Sequence, residues 1–491
     1  LTKITGNPVW ADRCEDIAFN SFPASMTPDQ KGLHYITCAN QVQLDQHNKS
    51  PGIENRGTMF SYSPFEVYRC CQHNVSHGWP YYVEELWLAT PDNGLCASLY
   101  AASEVSAKVG DGTTVKITEQ TDYPFSDVIT FKITAPGSVN FPLYLRVPRW
   151  CEKPEVKVNG KTARLAAKPL SFIVVNREWK DGDTVTLRLP MKVSVRTWEK
   201  QKNAVSVDYG PLSFALPIKE RWAKYGTRNE RWPEWEVFPA SPWNYGLVLD
   251  AKNPAKSFRV ERKSGSLAAQ PFTPEAAPIT LKTKARRIPA WQMDHLNMVG
   301  KLQPSPAKSD EPIETITLVP MGAARLRIAC FPTVSSGKDA HEWITPAKPK
   351  PAAFKTSASH CFEGDTLDAL CDGLEPADSN DHSAPRFTWW PHKGSAEWVQ
   401  YDFEKSRKVS GVSVFWFDDT GVGQCRVPQS WKLLYRAGGD WKPVPGAGEF
   451  GVKKDAWNNV QFPAIEASAL RIEAQLQPEF SGGILEWKIT K

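Results

Sequence analysis

The hydrophobic period of this chain changes once, at Pro91-Asp92-Asn93-Gly94, and that change constrains the fold more than any other feature. Before it, apolar residues recur three or four apart, as one face of a helix requires; after it they alternate, as the two faces of a strand require. Asn7-Pro8 supplies an N-cap and a first-turn proline. Trp10, Cys14, Ile17, Ala18 and Phe22 follow at helical spacing, predicting an amphipathic helix over 8–21. Asn74 reads as the N-cap of a second helix with Val75, Trp79, Tyr82, Val83, Leu86 and Trp87 on its apolar face, and Pro80 either kinks it or delays its start. Behind the switch, strands are expected at 114–118, 128–134, 143–147, 155–158, 172–175 and 184–189, with turns at Asn159-Gly160 and Asp181-Gly182-Asp183. Short alternating runs at such intervals are the pattern of an antiparallel sandwich.

The rest of the chain divides along composition. A second β-rich region over 201–345 closes with strands at 315–320 and 325–331, and its Trp- and Pro-rich stretch, 221–243, carries too many aromatics for a free linker. Pro346-Ala347-Lys348-Pro349-Lys350-Pro351 favours stiff, extended backbone and marks a linker over 346–356. Strands and turns alternate again over 357–491, with Trp398 to Phe403, Val412 to Asp419 and Ile484 to Trp487 as the clearest runs. The expected order is therefore a helical part (1–90), a sandwich (91–200), a second β-rich domain (201–345), a linker and a C-terminal β module. The fold class is mainly β with an α-helical N-terminal part.

Charge and apolar run length exclude two classes of partner. A net charge of +5 spread over 491 residues forms no basic stripe, which argues against nucleic acid. The longest apolar runs, such as 95–102, fall short of the roughly 18–20 residues of a spanning helix, which argues against a membrane. Ten cysteines are too few for a disulfide framework, although Cys361 and Cys371 would permit one surface bridge. Nucleophile-elbow, phosphate-loop, His-Glu-x-x-His and dinucleotide motifs are all missing. Compartment stays open, with a bacterial exported or periplasmic place among the options.

The chemistry is concentrated in Tyr68-Arg69-Cys70-Cys71-Gln72-His73-Asn74. A free thiol titrates near 8.5 and is a poor nucleophile at neutral pH, whereas a bound metal removes its proton. A vicinal pair therefore suggests a thiolate-zinc site, whose four ligands come from separated stretches of chain. Two ordinary buried cysteines are the alternative reading.

These residues carry a resemblance. Thr5-Gly6-Asn7-Pro8, Met26-Thr27-Pro28-Asp29, Phe60-Ser61-Tyr62-Ser63-Pro64 and Cys70-Cys71-Gln72-His73-Asn74 resemble the end of the catalytic domain of glycoside hydrolase family 127, the β-L-arabinofuranosidase-like group, and the likeness runs to about Gly337. It implies the remnant of an (α/α)6, or six-hairpin, barrel followed by β-sandwich domains. It also implies that Cys70 is a zinc-bound nucleophile, that Cys71 is the partner ligand, and that an upstream Glu-x-Cys completes the shell. No Glu-x-Cys precedes Cys70 here: Cys14 follows Asp12-Arg13 and Cys38 follows Ile36-Thr37. The ligands and the general-acid glutamate are thus expected in a missing N-terminal barrel segment. Tyr35, in Leu33-His34-Tyr35, matches a stretch lining the sugar pocket, with core packing as the alternative. Glu66 reads as structural, and His73 and His77 as capping residues.

Residues 357–491 resemble the discoidin or coagulation-factor type C fold, a β-jelly roll shared with galactose-binding-like modules. Its loop candidates for sugar contact are Arg386, Phe387, Trp389 and Trp390, with packing as the alternative for both tryptophans. Asp372, Asn380, Asp381 and Glu486 offer hard oxygens for a structural calcium. Two functions follow: a retaining, zinc- and cysteine-dependent glycosidase of β-L-arabinofuranosidase type, acting on plant-type or other complex glycans, or a non-catalytic carbohydrate-binding or scaffold polypeptide.

Overall fold

After a single helical turn over Thr2–Thr5, the Asn7 side chain leads into the helix Val9–Asp16, its Oδ1 accepting from the Val9 amide at 3.0 Å in the computed structural model, which describes residues 1–49, 53, 59–65, 70–226 and 228–490. The helix runs Val9–Asp16, widens to a π-turn over Ile17–Ser21 and resumes over Phe22–Ala24. Its buried face is not the expected one. Ala11, Asp12, Glu15, Ala18 and Phe19 point inward, whereas Ile17 is 59% exposed. Two acidic side chains turn into the core because the guanidinium of Arg146, fully buried on strand Val139–Val147, lies between their carboxylates.

The second helical segment also starts earlier than expected. Cys70–Asn74 is helical, Val75–His77 is a tighter turn, and Gly78–Glu84 completes the segment with Pro80 inside its first turn. Asn74 caps nothing as an N-terminal residue; its Nδ2 donates back to the Cys70 carbonyl at 2.6 Å. Of the expected apolar face, Tyr82 and Leu86 are buried and Val83 is 58% exposed.

After the period switch the strands follow the alternation closely. Val128–Thr134 and Glu155–Val158 fall at their expected bounds, while Thr113–Gln120, Val139–Val147 and Ser171–Trp179 extend further. A six-stranded antiparallel sheet and a four-stranded sheet bury Ile129, Phe131, Leu143, Leu145, Val185 and Leu187. Asn159 and Gly160, with φ of 52° and 77°, form the left-handed two-residue turn joining Glu155–Val158 to Lys161–Ala163.

The expected boundary at 200 does not divide the structure. Val193–Trp198 pairs with Ala204–Tyr209, and Asn40–Gln41 from the helical part pairs with Arg327–Ile328, so one nine-stranded sheet draws on both ends of the chain up to Thr345. The strand expected at 325–331 shrinks to Arg327–Ile328. Its neighbours are occupied otherwise: Arg325 Nε donates to the Met26 carbonyl at 2.8 Å, and Arg327 Nη2 donates to Thr37 Oγ1 at 2.6 Å. The Trp- and Pro-rich stretch is an ordered hairpin, Glu220–Lys224 with Trp235–Pro239, on which Tyr62 stacks against Trp222 at 5.3 Å. Residues 1–46, 58–292 and 299–345 cluster as one compact unit.

A second unit is built mainly from Pro346–Lys491. The proline-rich stretch belongs to it and is not a free linker, since the Lys350 amide donates to the Asp372 carbonyl at 2.7 Å. Its seven-stranded sheet is threaded by one 22-residue strand, Ala396–Phe417, with register shifts between Asp402 and Arg407 and between Val409 and Gly411. Tyr401 stacks on Trp487 at 3.9 Å in its core. Cys361 and Cys371 are both free thiols, so the surface bridge their spacing would permit is not formed.

Candidate functional site

Cys70 and Cys71 occupy the first turn of the short helix Cys70–Asn74. Cys70 is exposed, Cys71 is half-buried, and their sulfurs are 3.9 Å apart. Burial, and then the Cys70 side chain, push the Cys71 thiol upward. Two sulfurs at about 2.3 Å from one tetrahedral ion stand about 3.8 Å apart. The pair is thus spaced as two corners of a zinc shell. Among the described residues no group of three or more His, Cys, Asp or Glu side chains is placed to hold a metal ion.

The turn is anchored from outside the helix. Gln72 Nε2 donates to the Ser63 carbonyl at 3.1 Å, and the Ser63 hydroxyl donates to Glu234 Oε1 at 2.8 Å. Glu234 comes from the Trp-rich hairpin region and is 1% exposed, and its other oxygen has no hydrogen-bond partner. A Cβ at Gly226 would meet that oxygen at 1.6 Å, so glycine there leaves room for the carboxylate as placed. Nothing in the local sequence separates Glu234 from the other charges of a polar stretch; the signal is tertiary.

Tyr35 is half-buried beside His34. Burial drives the His34 imidazole down to about 3, which keeps it neutral, and its Nδ1 lies 2.6 Å from the Ile36 carbonyl. Glu66 lies outside the described residues. His73 and His77 are exposed, His77 edge-on to Tyr81 at 5.4 Å.

In the C-terminal unit the loop candidates separate. Trp389 is fully buried, edge-on to Phe387 at 5.0 Å, and its Nε1 donates to the Trp398 carbonyl at 3.2 Å. It has no open face for a sugar ring and packs the core, as does Phe387. Arg386 is also buried: its Nε bonds Asp365 at 3.0 Å, its Nη1 meets His382 Nδ1 at 2.9 Å, and its guanidinium lies over Phe417. It braces the loop and does not reach outward. Trp390 alone of the four keeps a partly exposed ring, over which the Lys393 ammonium sits at 5.4 Å.

The four oxygen candidates do not form one cage. Asp372 and Glu486 are both buried, and burial followed by their mutual interaction pushes the Glu486 carboxyl up to about 8. The Leu374 amide already donates to Asp372 at 2.8 Å. Asn380 and Asp381 belong to a separately bonded loop, where Asn380 Oδ1 meets His382 Nε2 at 2.9 Å and Asp381 Oδ2 accepts from the Ala377 amide at 3.0 Å.

Comparison with known proteins follows this division. Residues 1–84 match the model of the β-L-arabinofuranosidase GH127 catalytic domain, and residues 94–191 that of the GH127 middle domain. These two segments are similar to GH127 sequence. Residues 355–486 match the F5/8 type C domain, which agrees with the jelly-roll-like second unit. No curated protein matches the chain. Among solved structures, a GH127 β-L-arabinofuranosidase from Geobacillus stearothermophilus T6 is similar at 20% identity and a TM-score of 0.48, over 67% of this chain and 46% of that one. A second GH127 β-arabinofuranosidase is similar at 18% identity and a TM-score of 0.48, over 68% of this chain and 47% of that one. A family 32 carbohydrate-binding module from C. perfringens, in complex with galactose, is similar at 17% identity and a TM-score of 0.23, over 28% of this chain and 92% of its own. The chain spans about half the length of these two GH127 structures. No helix among the described residues is long and apolar enough to cross a membrane.

Proposed function

We propose that this chain carries the nucleophile of a retaining glycosidase of GH127 type, acting on L-arabinofuranosides of complex glycans. The observation that supports it is the 3.9 Å separation of the Cys70 and Cys71 sulfurs, which suits two ligands of one zinc ion. Cys70 and Cys71 would hold the zinc, with further ligands and the general acid outside the described residues. When bound, zinc supplies the positive charge that keeps thiols ionised at neutral pH.

The Cys70 thiolate attacks the anomeric carbon, so that a carbon–sulfur bond forms as the glycosidic carbon–oxygen bond breaks. The departing oxygen takes a proton from the general acid. Water, deprotonated by the former acid now acting as base, then displaces the sulfur from the face the leaving group vacated, so that two inversions give net retention. Asn74 fixes the turn through its bond to the Cys70 carbonyl, Gln72 ties it to Ser63, and Tyr35 is assigned to the sugar pocket. In the second unit, Trp390 is the residue left to bind sugar.

A mechanism-based furanoside inhibitor tests the assignment in the protein that includes this chain. Peptide mapping is expected to place the label on Cys70. A label on a carboxylate, or full activity of Cys70→Ala, removes Cys70 as nucleophile. The second reading, a carbohydrate-binding polypeptide without turnover, is favoured by the two-sulfur donor set, which finds no third ligand among the described residues.

A further inference from the structure

A two-lobed groove in the first unit shares no residue with the double-cysteine turn. One lobe, about 510 Å³, is lined by Trp198, Gln201, Asn40, Leu302 and Met321 among others. The other, about 410 Å³, is lined by Asp16, Arg149, Trp150, Ser194 and Asp208 among others. Arg196 and Ser213 line both lobes, so the two meet at these side chains.

The first lobe offers a ring face. Trp198 ends the strand Val193–Trp198 and is 40% exposed. Arg196, two residues earlier and therefore on the same face of the strand, lays its guanidinium over the indole at 4.8 Å. The indole Nε1 donates to Ser206 Oγ at 3.0 Å, which fixes the ring plane. The cation covers one face of the ring, and the indole and the guanidinium both line the lobe. Apolar side chains flank it, and Gln201 and Lys301 stand at the edge.

The second lobe is polar without carrying spare charge. Arg196 pairs with Asp208 at 2.9 Å and Arg149 with Asp16 at 2.6 Å, one cation to one anion. Ser213 Oγ donates to the second Asp208 oxygen at 2.7 Å. Trp150 adds an indole N–H that is buried without an acceptor. The first lobe's lining contains one thiol, Cys330, and burial pushes it up to about 11, so it is protonated at neutral pH.

A ligand that fits must present an apolar face to Trp198 and, one step along, hydroxyls to a charge-balanced polar lobe. A sugar ring has that construction: its C–H face is apolar and its rim is hydroxyl. Both volumes fall in the range of small-molecule sites. We infer that this groove binds a neutral carbohydrate chain, with one ring on Trp198 and its neighbour at the Arg196–Asp208 pair. The inference extends the carbohydrate reading of the proposed function, and it concerns holding a glycan instead of cleaving it.

Affinity electrophoresis of the full chain tests it, run in a Trp390→Ala background so that the second unit contributes less. Gels contain arabinan, galactan or xylan as neutral probes and polygalacturonate as the acidic one. At least one neutral polysaccharide is expected to retard the protein, and Trp198→Ala is expected to weaken that affinity about tenfold, the scale of one lost aromatic contact. Ala39→Trp, which fills the lobe from an exposed position, is expected to do the same without removing a packed side chain. Retardation unchanged in both variants, no retardation by any neutral probe, or a preference for polygalacturonate overturns the inference. Inhibitor labelling of Cys70 separates the two proposals. Trp198-dependent binding without labelling sinks only the glycosidase reading, and labelling without such binding sinks only the groove.

Discussion

Arg146 and Glu15 meet inside the core, a guanidinium from the sandwich against a carboxylate from the N-terminal helix, with neither side chain reaching solvent. Asp12 takes the other guanidinium arm, Tyr123 OH donates to the second Glu15 oxygen at 2.8 Å, and the Arg149 amide donates to Asp12 at 2.8 Å. Burial outweighs the attraction of Arg146 and still pushes both carboxyls above their usual range. The cluster is therefore a specific lock between helix and sandwich, and each charge depends on the others.

Removing the cation exposes that dependence. Arg146→Met should destabilise the first unit by about 3–5 kcal/mol, because two carboxylates are left buried with no counter-charge. Denaturant melts would read the loss. A change below about 1 kcal/mol, the range of exposed pairs, would show that the cluster is hydrated.

Zinc content follows from the double-cysteine turn. The protein that includes this chain should hold about one zinc at this site, and Cys71→Ser should lower that content while leaving the melting of the second unit unchanged. Metal analysis by mass spectrometry suffices, and an intact protein free of zinc would remove the mechanism.

The two adjacent tryptophans of the second unit should behave oppositely. Trp389→Ala empties a fully buried site and is expected to cost about 3–5 kcal/mol. Trp390→Ala should cost less than about 1 kcal/mol, as surface substitutions do, while weakening any binding to galactose-type sugars. Calorimetric midpoints and glycan titrations of both variants check this, and equal midpoints would contradict the burial difference.

Asp372 and Glu486 set a pH dependence whose sign is fixed. Both carboxyls titrate higher folded than unfolded, so their contribution is complete below the ordinary carboxylate range and is lost as pH rises toward about 8. The melting midpoint of the second unit should fall between pH 4 and pH 8 by this contribution, and Glu486→Gln should flatten the slope. A calcium ion needs both groups ionised, so added calcium should raise the midpoint more at pH 8 than at pH 5. Midpoints indifferent to calcium at both pH values would leave the pair as a proton-sharing acid dyad only.

Much of the β architecture was legible because alternation and turn chemistry are local. Val128–Thr134 and Asn159-Gly160 needed no tertiary information. The helix face was misread because Asp12 and Glu15, three apart, are buried by a partner more than 130 residues away. Asn74 was misread for a related reason: its amide bonds backward to Cys70, which a forward-reading cap rule does not anticipate. The double-cysteine turn was visible in the sequence, whereas Glu234, joined to it through Ser63 and Gln72, was not.

The strand Ala396–Phe417 has a mechanical consequence. It pairs with Lys355–Ala358 near its start, with Gly483–Thr490 near its end, and with Trp457–Gln475 along most of its length. A single peptide bond cut near its middle would therefore detach the first and last strands of the module from a shared spine. Limited proteolysis of the second unit should accordingly show either resistance or complete digestion, with no long-lived half-module between them.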